Sequence, residues 1–491
     1  REAPRRTSLL YLTGALCVDH DPMMKRFLTI CTLAFALAAS AAHAAKQPNI
    51  LVLLTDQWRF DAFGYAGNKD VKTPNIDRLE KESINFTHAL SGVPVCCPMR
   101  ASLLTGQRPL THGVFMNDVS LNPNANSIAK VLNRAGYNTG YIGKWHIDGR
   151  GRSSFIPRER RQGFEYWKVL ECTHNYNNSF YYADGPEKLK WDGYDAIAQT
   201  RDAQQYIKAQ AKNKKPFSLF IGFGPPHAPY HSAPEKYRAM YDPKKIRLRP
   251  NIPHYFREIA RRDLAGYYAH CTALDDCVRD LWGTLKESGQ EENTIIIFTS
   301  DHGDLIGSHG AYKKQQPYDE SIRIPMLIHY PAKFGREGRR LKALINTEDI
   351  MPTLLGLSDV TIPKTVEGSD FSQLIEGGEN PNDGAALISC PAPFGQWARR
   401  WGGREFRGIR TVNHTYVEDL RGPWLMFDNE KDPFQLNNLL TNPGNEKLAK
   451  DLRKILRRKL KETNDEFLPG HSYVEKWGYP LDKTGTVPYK N

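Results

Sequence analysis

Cys96, Pro98 and Arg100 fall at alternate positions in the stretch Pro94 to Gly106, PVCCPMRASLLTG. An Arg one helical turn from a thiol, with helix amide groups behind it, makes a pocket around the sulfur that favours anions. The plain structural alternative is a strand-to-helix turn with two buried thiols. Four apolar runs elsewhere also empty into residues that can do chemistry. Asn49 to Thr55 ends in Asp56-Gln57, Tyr137 to Ile142 runs into Gly143-Lys144-Trp145-His146, Phe217 to Gly222 leads to His227 between prolines, and Thr294 to Thr299 ends in Ser300-Asp301-His302-Gly303. Open parallel sheets place ligand chemistry at the C-terminal ends of their strands. Each residue alone reads as a cap or a solvated loop side chain, but strands lying side by side would bring all of them to one edge with Cys96. Asp56, Gln57 and Asp301 offer hard oxygens, with His302 beside them, a set that suits Ca²⁺ or Mg²⁺ better than zinc. Lys144 and His146, two apart in an extended segment, point the same way and could face one anion. Gly143-Lys144 is not a phosphate loop, because Gly136 precedes Gly143 by seven residues and Trp145 stands where Ser or Thr is needed.

These positions require buried parallel strands, and continuous runs rich in branched residues are what such strands look like. Between them, Thr73-Pro74-Asn75-Ile76-Asp77 opens a helix, Asn124 to Ala135 and Ala196 to Lys212 read as helices, and Tyr255 to Ser288 is a long amphipathic one interrupted at most once. Beyond about Pro363 the texture changes to Gly, Pro and short strand-like pieces such as Arg407 to Val417, followed by a basic helix, Glu446 to Glu462. The expectation is an α/β fold with a large central, mostly parallel sheet sandwiched by helices over residues 45–362, and a smaller C-terminal α+β subdomain over 363–491.

The chain has 491 residues and a formal net charge of +12, an excess that favours anionic partners. Met24-Lys25-Arg26, the apolar run Phe27 to Ala39 and Ala42-His43-Ala44 form the tripartite pattern of a secretory signal peptide cleaved near Ala44, with residues 1–23 an upstream extension. The run is too short to span a bilayer, so a periplasmic or secreted protein without stable membrane insertion is expected. Cysteines after that point are Cys96, Cys97, Cys172, Cys271, Cys277 and Cys390, without the spacing of a disulfide scaffold or a zinc site. Cys271 and Cys277 read as core fillers.

The stretch around Cys96 resembles the signature of the type I sulfatases of the alkaline phosphatase superfamily, and GYNTGYIGKWH, Gly136 to His146, resembles their second signature. The match covers roughly Asn49 to Pro331 and continues more loosely through DIMPTLL, Asp349 to Leu355, and DNEKDPFQLNNL, Asp428 to Leu439. The resemblance implies an alkaline phosphatase-like fold and a sulfuric ester hydrolase in which Cys96 is oxidised after translation to formylglycine, whose hydrated form attacks sulfur. It implies one divalent ion, most often calcium, with magnesium as the alternative, held by Asp56, Gln57, Asp301, His302 and residue 96. It further implies that Arg100 orients the formylglycine hydroxyl, Lys144 binds that hydroxyl and the sulfuryl group, and His146 is the base for the second hydroxyl. Lys314, thirteen residues after Asp301, would with His227 stabilise or protonate the leaving oxygen, and spacing alone separates it from Lys313. A formylglycine-generating or anaerobic sulfatase-maturing enzyme is the implied partner; Met99, where the family has a small residue, bears on which one acts. Gln57 stands where many members have a second Asp, and similar Gln-containing sites occur in choline sulfatase-like and phosphonate monoester hydrolase-like relatives.

The expected substrate is a sulfated small molecule or glycan, not nucleic acid. Cys172 to Tyr176 and Trp397 to Trp401 could line a sugar pocket, with Arg399, Arg400 and Arg404 near more distant anionic groups. Two alternatives are a phosphonate monoester or phosphodiester hydrolase on the same scaffold, and a secreted polyanion-binding protein never matured at Cys96.

Overall fold

The computed structural model describes residues 47–489, so the reading of residues 1–44 as an extension and signal peptide lies outside the described residues. No helix among the described residues is long and apolar enough to cross a membrane.

The elements that carry the architecture are, in chain order, β1 (Asn49–Asp56), α1 (Pro74–Lys81), β2 (Ile84–Phe86), α2 (Cys96–Thr105), α3 (Ile128–Arg134), β3 (Asn138–Lys144), β4 (Tyr166–Leu170), α4 (Asp195–Gln210), β5 (Phe217–Pro226), α5 (Arg257–Glu287), β6 (Thr294–Ser300), β7 (Met326–His329), β8 (Arg339–Leu341), α6 (Ile350–Leu357), β9 (Ala385–Cys390), β10 (Phe406–Thr411), β11 (His414–Asp419), β12 (Gly422–Asp428), α7 (Glu446–Glu462) and α8 (Gly470–Trp477). The main sheet has eight strands in the order β8-β2-β7-β6-β1-β5-β3-β4. Every pairing from β6 through β4 is parallel, and β7 runs antiparallel to both of its neighbours. The four strands singled out in the sequence are therefore contiguous, as β6, β1, β5 and β3. Their ends are nearly level: Thr55 pairs with Ser300, Asp56 with Pro226 across a bulge, and Gly143 with Gly222.

Alternation along β1 explains the sandwich. Ile50, Val52 and Leu54 enter one core layer and Leu51 and Leu53 the other, because successive strand side chains point to opposite faces. α5 is continuous over 31 residues, and Cys271 and Cys277 are buried, unbridged members of the second layer. The C-terminal sheet, β9-β10-β11-β12, is antiparallel. Leu452, Leu456 and Leu460 of α7, one turn apart, cover Ile409, Tyr416 and Met426 of that sheet. The strand-like piece Arg407 to Val417 is two strands, because the chain turns at Val412-Asn413.

Two local details depart from the sequence reading. α3 begins at Ile128, not Asn124, because Ser127 caps it by accepting from the Lys130 N–H. At α1, the Thr73 hydroxyl donates to Asp77, and the first amides, of Asn75 and Ile76, are taken by the Asp275 carboxylate of α5. Tertiary contact replaces the local cap there.

Asp195, the first residue of α4, is buried with one carboxylate oxygen unpartnered, and burial pushes its carboxyl up to about 8. The unfolded value is about 4. A carboxyl raised on folding contributes stability that is complete below the unfolded value and is lost as pH rises through the folded one. Asp195→Asn should therefore flatten the fall of thermal stability between about pH 4 and pH 8, measured as the melting temperature of both proteins across that range. An unchanged slope would show that Asp195 is ionised in the fold.

Candidate active site

Two glycines let β3 and β5 deliver their ends to one point. A Cβ on Gly143, at φ +97°, would lie 2.3 Å from the Gly222 carbonyl oxygen, and one on Gly222 would lie 2.5 Å from the Lys144 carbonyl oxygen and 2.7 Å from the Tyr141 hydroxyl. Such distances are closer than any side chain tolerates, so both positions need glycine. β3 runs on through Lys144, placing its ammonium at the sheet edge. α2 starts at Cys96, is buried along its whole length, and stops at Gly106 in the left-handed conformation. Its N-terminal amides thus face the same edge as the strand ends.

The Cys96 sulfur, 1 % exposed, lies 3.0 Å from Lys314 Nζ, 3.3 Å from His302 Nε2 and 3.8 Å from Asp56 Oδ1. Lys144 Nζ reaches Asp56 Oδ2 at 2.5 Å. Arg100 lies between the carboxylates, with Nη2 3.2 Å from Asp301 Oδ2 and 3.4 Å from Asp56 Oδ2, while Nη1 donates to the Lys144 carbonyl at 2.9 Å. In this geometry Arg100 fixes the two acids and the end of β3. His302 Nδ1 donates to the Gly303 carbonyl at 2.8 Å, which leaves Nε2 facing the cluster, and the Asp301 carboxylate and the Cys96 sulfur raise the imidazole above its ordinary value against burial.

Charge balance is uneven. Burial opposes ionisation of Asp56, but Lys144, Lys314 and Arg100 around it hold its carboxyl well below the usual range. Asp301, pressed by burial and by the Asp56 charge, is pushed up to about 6. Burial and the Asp56 charge raise the Cys96 thiol, yet Lys314, Lys144 and His302 outweigh them and hold it well below its ordinary value. Asp56, Asp301, Cys96 and His302 place ligand atoms within 4.8 Å of one another. With Gln57 Oε1 nearby and 0 % exposed, these form an oxygen-rich donor set whose second carboxylate lacks a full share of positive charge, which fits one hard divalent cation.

Above the cluster is a cavity of about 410 Å³ lined by Cys96, Lys144, His146, His227 and Lys314. His227 is held neutral by burial and by Lys314. Its Nδ1 lies 2.8 Å from the Ala228 carbonyl, so Nε2 is an acceptor, and its ring stacks on His174 at 4.6 Å. His146, at φ +61°, leaves the strand alternation and turns toward Asp118, 3.6 Å away. Burial works against its charge, but the sulfurs of Cys172 and Cys97 and the Asp118 carboxylate raise it well above the ordinary imidazole range. Of the adjacent lysines, Lys314 reaches the sulfur, while Lys313 gives its backbone N–H to Asp304.

Several participants have no local sequence signal. Asp118 lies in an irregular stretch and accepts two bonds from Arg152, at 2.9 and 2.8 Å, and the Tyr489 ring covers that guanidinium at 3.5 Å. Phe394 and the C-terminal turn at Asp482 to Thr486 wall the cavity from another part of the chain. Asp304, one residue beyond the Ser300 to Gly303 run, was not singled out in the sequence. Among the arginines expected near a sugar chain, Arg399 is bound to buried Glu405, and Arg404 pairs with Asp419 at 2.9 Å over Trp424. Arg400 makes no ion pair among the described residues, so the expected trio reduces to one available guanidinium.

A parallel sheet whose level strand ends surround a buried sulfur with two lysines, an arginine and two carboxylates defines a hydrolase for tetrahedral anionic esters. Comparison with known proteins specifies the class. Residues 48–360 match the sulfatase family model, and residues 307–462 match the model of the N-sulphoglucosamine sulphohydrolase C-terminal region. The chain is 45 % identical over 447 residues to an ulvan-active sulfatase of Formosa agariphila, covering 90 % of this chain and 87 % of that protein. It is 29 % identical to an endo-4-O-sulfatase of Bacteroides thetaiotaomicron, covering 89 % and 95 %. A sulfatase structure from Bacteroides fragilis superposes with a TM-score of 0.79 at 30 % identity, covering 88 % of this chain and 98 % of that one. This chain belongs to the sulfatase family, within the alkaline phosphatase superfamily, and is a sulfuric ester hydrolase.

Proposed function

We propose that this sulfatase removes sulfate from a sulfated saccharide, using formylglycine made from Cys96 and one divalent ion, calcium, in the donor set of Asp56, Gln57, Asp301, His302 and residue 96. The observation that carries this reading is the position of the Cys96 sulfur, at a buried helix N-terminus 3.0 Å from Lys314 and beside two carboxylates. When bound, the ion would withdraw charge from a sulfuryl oxygen and acidify a hydroxyl at residue 96. The chain's own groups do the rest. Lys144, held charged against burial by Asp56, and Lys314, held charged by the group at position 96 and by Asp56, supply donors to sulfuryl oxygens, and such preorganised charges are worth most in a site closed to water. Arg100 keeps the two acids in place.

His227 is neutral with Nε2 as acceptor, so it can take a proton directly but gives one to a leaving oxygen only after receiving one. Charged His146 needs its proton removed before it can act as a base. Mass spectrometry of the peptide containing position 96, from protein co-produced with a maturation enzyme, tests the reading: an aldehyde supports it, and an intact thiol in an active enzyme would sink it. We read the protein as exported, from the signal pattern before Ala45, and the domain boundary as lying near Pro363.

The similarity to the ulvan-active and endo-4-O-sulfatases supports a glycan substrate, as does a groove of about 520 Å³ holding Arg400, His471 and Lys483. The turn at Asp482 to Thr486 separates this groove from the catalytic cavity, and Thr484 borders both. Arg400→Ala should raise KM for a polyanionic glycan about three- to tenfold, weaken its salt dependence and leave a small aryl sulfate unchanged. Equal effects on both substrates would remove the case for a distant anion subsite. Arg399→Ala should instead lower stability, because it leaves the buried Glu405 carboxylate with the Gly470 N–H but no ion pair among the described residues.

A further inference from the structure

We propose that Asp304 is a positioning residue that fixes which end of the Gln57 amide faces the cation cluster, so that Gln57 and Asp304 work as a matched pair. This rests on the proposed divalent ion. An amide side chain offers an oxygen acceptor at one end and an NH₂ donor at the other, and only the oxygen can contact a cation. Gln57 and Asp304 are each 0 % exposed. Asp304 Oδ2 accepts from Gln57 Nε2 at 2.6 Å and from the Tyr230 hydroxyl, and its Oδ1 accepts the backbone N–H groups of Lys313 at 3.0 Å and Ile306 at 3.2 Å. Backbone N–H groups donate to Oδ1 and a hydroxyl to Oδ2, so this carboxylate acts as an acceptor at both oxygens and takes the NH₂ end. Gln57 Oε1 is thereby turned to the other side, where Lys314 Nζ donates to it at 3.1 Å. The reverse orientation would set oxygen against carboxylate and NH₂ against ammonium.

The backbone gives residue 57 no freedom to compensate. It sits at φ +71°, its N–H donates to Asp301 Oδ1 at 2.9 Å, and its carbonyl accepts the Tyr267 hydroxyl at 2.8 Å. The same Asp304 carboxylate anchors Lys313, itself at φ +64°, one residue before Lys314. Asp304 thus sets both the neutral oxygen of the donor set and the strand of chain that carries a sulfate-facing lysine. Replacing Asp304 by Asn gives a group whose oxygen is claimed by the two backbone N–H groups, leaving its own NH₂ against Gln57. The Gln57 amide must then turn over and present NH₂ to the cation. Replacing Gln57 by Glu as well restores a donor against an acceptor at the shared contact.

The test is calorimetric titration of calcium chloride into chelator-stripped full-length protein, for wild type, Asp304→Asn, Gln57→Glu and the double variant, with thermal unfolding to confirm each is folded. Asp304→Asn should bind calcium at least about tenfold more weakly, and Gln57→Glu should improve affinity at least about tenfold more in the Asp304→Asn background than in wild type. Alone, Gln57→Glu should not tighten calcium, because it sets an acceptor oxygen against the Asp304 acceptor at the shared contact. Wild-type affinity in Asp304→Asn, tightening by Gln57→Glu alone, or no rescue in the double variant overturns the pairing and leaves the metal reading intact. A wild-type protein that binds no calcium overturns the metal reading and this inference with it.

Discussion

Cys96→Ala should lower sulfate ester turnover by at least about 10⁴-fold, the scale on which removal of a nucleophile in a preorganised site is felt. The fold should survive, since Cys96 starts α2 without side-chain packing that alanine cannot supply: its neighbours are Lys314, His302 and Asp56, not apolar groups. Loss of the group at position 96 leaves Lys314 with Gln57 Oε1 as a partner. Circular dichroism and melting temperature should therefore stay close to wild type while sulfate release from an aryl sulfate disappears. Cys96→Ser should be nearly as inactive unless the maturation system oxidises serine. Retention of wild-type rates by Cys96→Ala would mean that the catalytic group is elsewhere.

The sheet edge was legible because its physics is local. Ile50 to Leu54 and Ile295 to Phe298 are apolar on every residue, as a strand covered on both sides requires, and Asp56 and Asp301 sit just past where such runs stop. Their adjacency as β6-β1-β5-β3 follows from parallel crossovers that four similar runs can share. What the sequence hides is any partner chosen by tertiary contact. Asp275 caps a helix some 200 residues away, His146 meets Asp118 and two sulfurs from separate segments, and the C-terminal turn closes the catalytic cavity. The arginine-rich stretch after Gln396 shows the same limit from the other side. Composition suggested three free cations, but Glu405 and Asp419 are close enough to bind two of them. Charge in a sequence counts groups, and only the fold says which are already neutralised.

Stripping the divalent ion should abolish turnover, and among the ligand substitutions Asp56→Ala should cost most, Asp301→Ala somewhat less and Gln57→Ala least. The order follows from what each side chain holds. Asp56 meets Lys144 at 2.5 Å, Arg100 at 3.4 Å and His302 at 3.7 Å, so its loss removes an anionic ligand and also releases the lysine that must face the sulfuryl group. Asp301 also anchors Arg100 and the Gln57 N–H, but among the described residues it forms no ion pair with Lys144, so its removal leaves that lysine held by Asp56. Gln57 contributes a neutral oxygen, a weaker ligand for a hard cation than a carboxylate. Either aspartate variant should lose more than the roughly 10–100-fold typical of a partner one layer outside a metal's ligands, and Gln57→Ala should fall within that range. Activity after exhaustive EDTA dialysis, and its recovery on adding calcium or magnesium, is measured alongside metal content by elemental analysis. Full turnover in protein shown to be metal-free would eliminate the ion from the reaction, and the carboxylates would then have to be read as counter-charges that hold Lys144 and Arg100 in place.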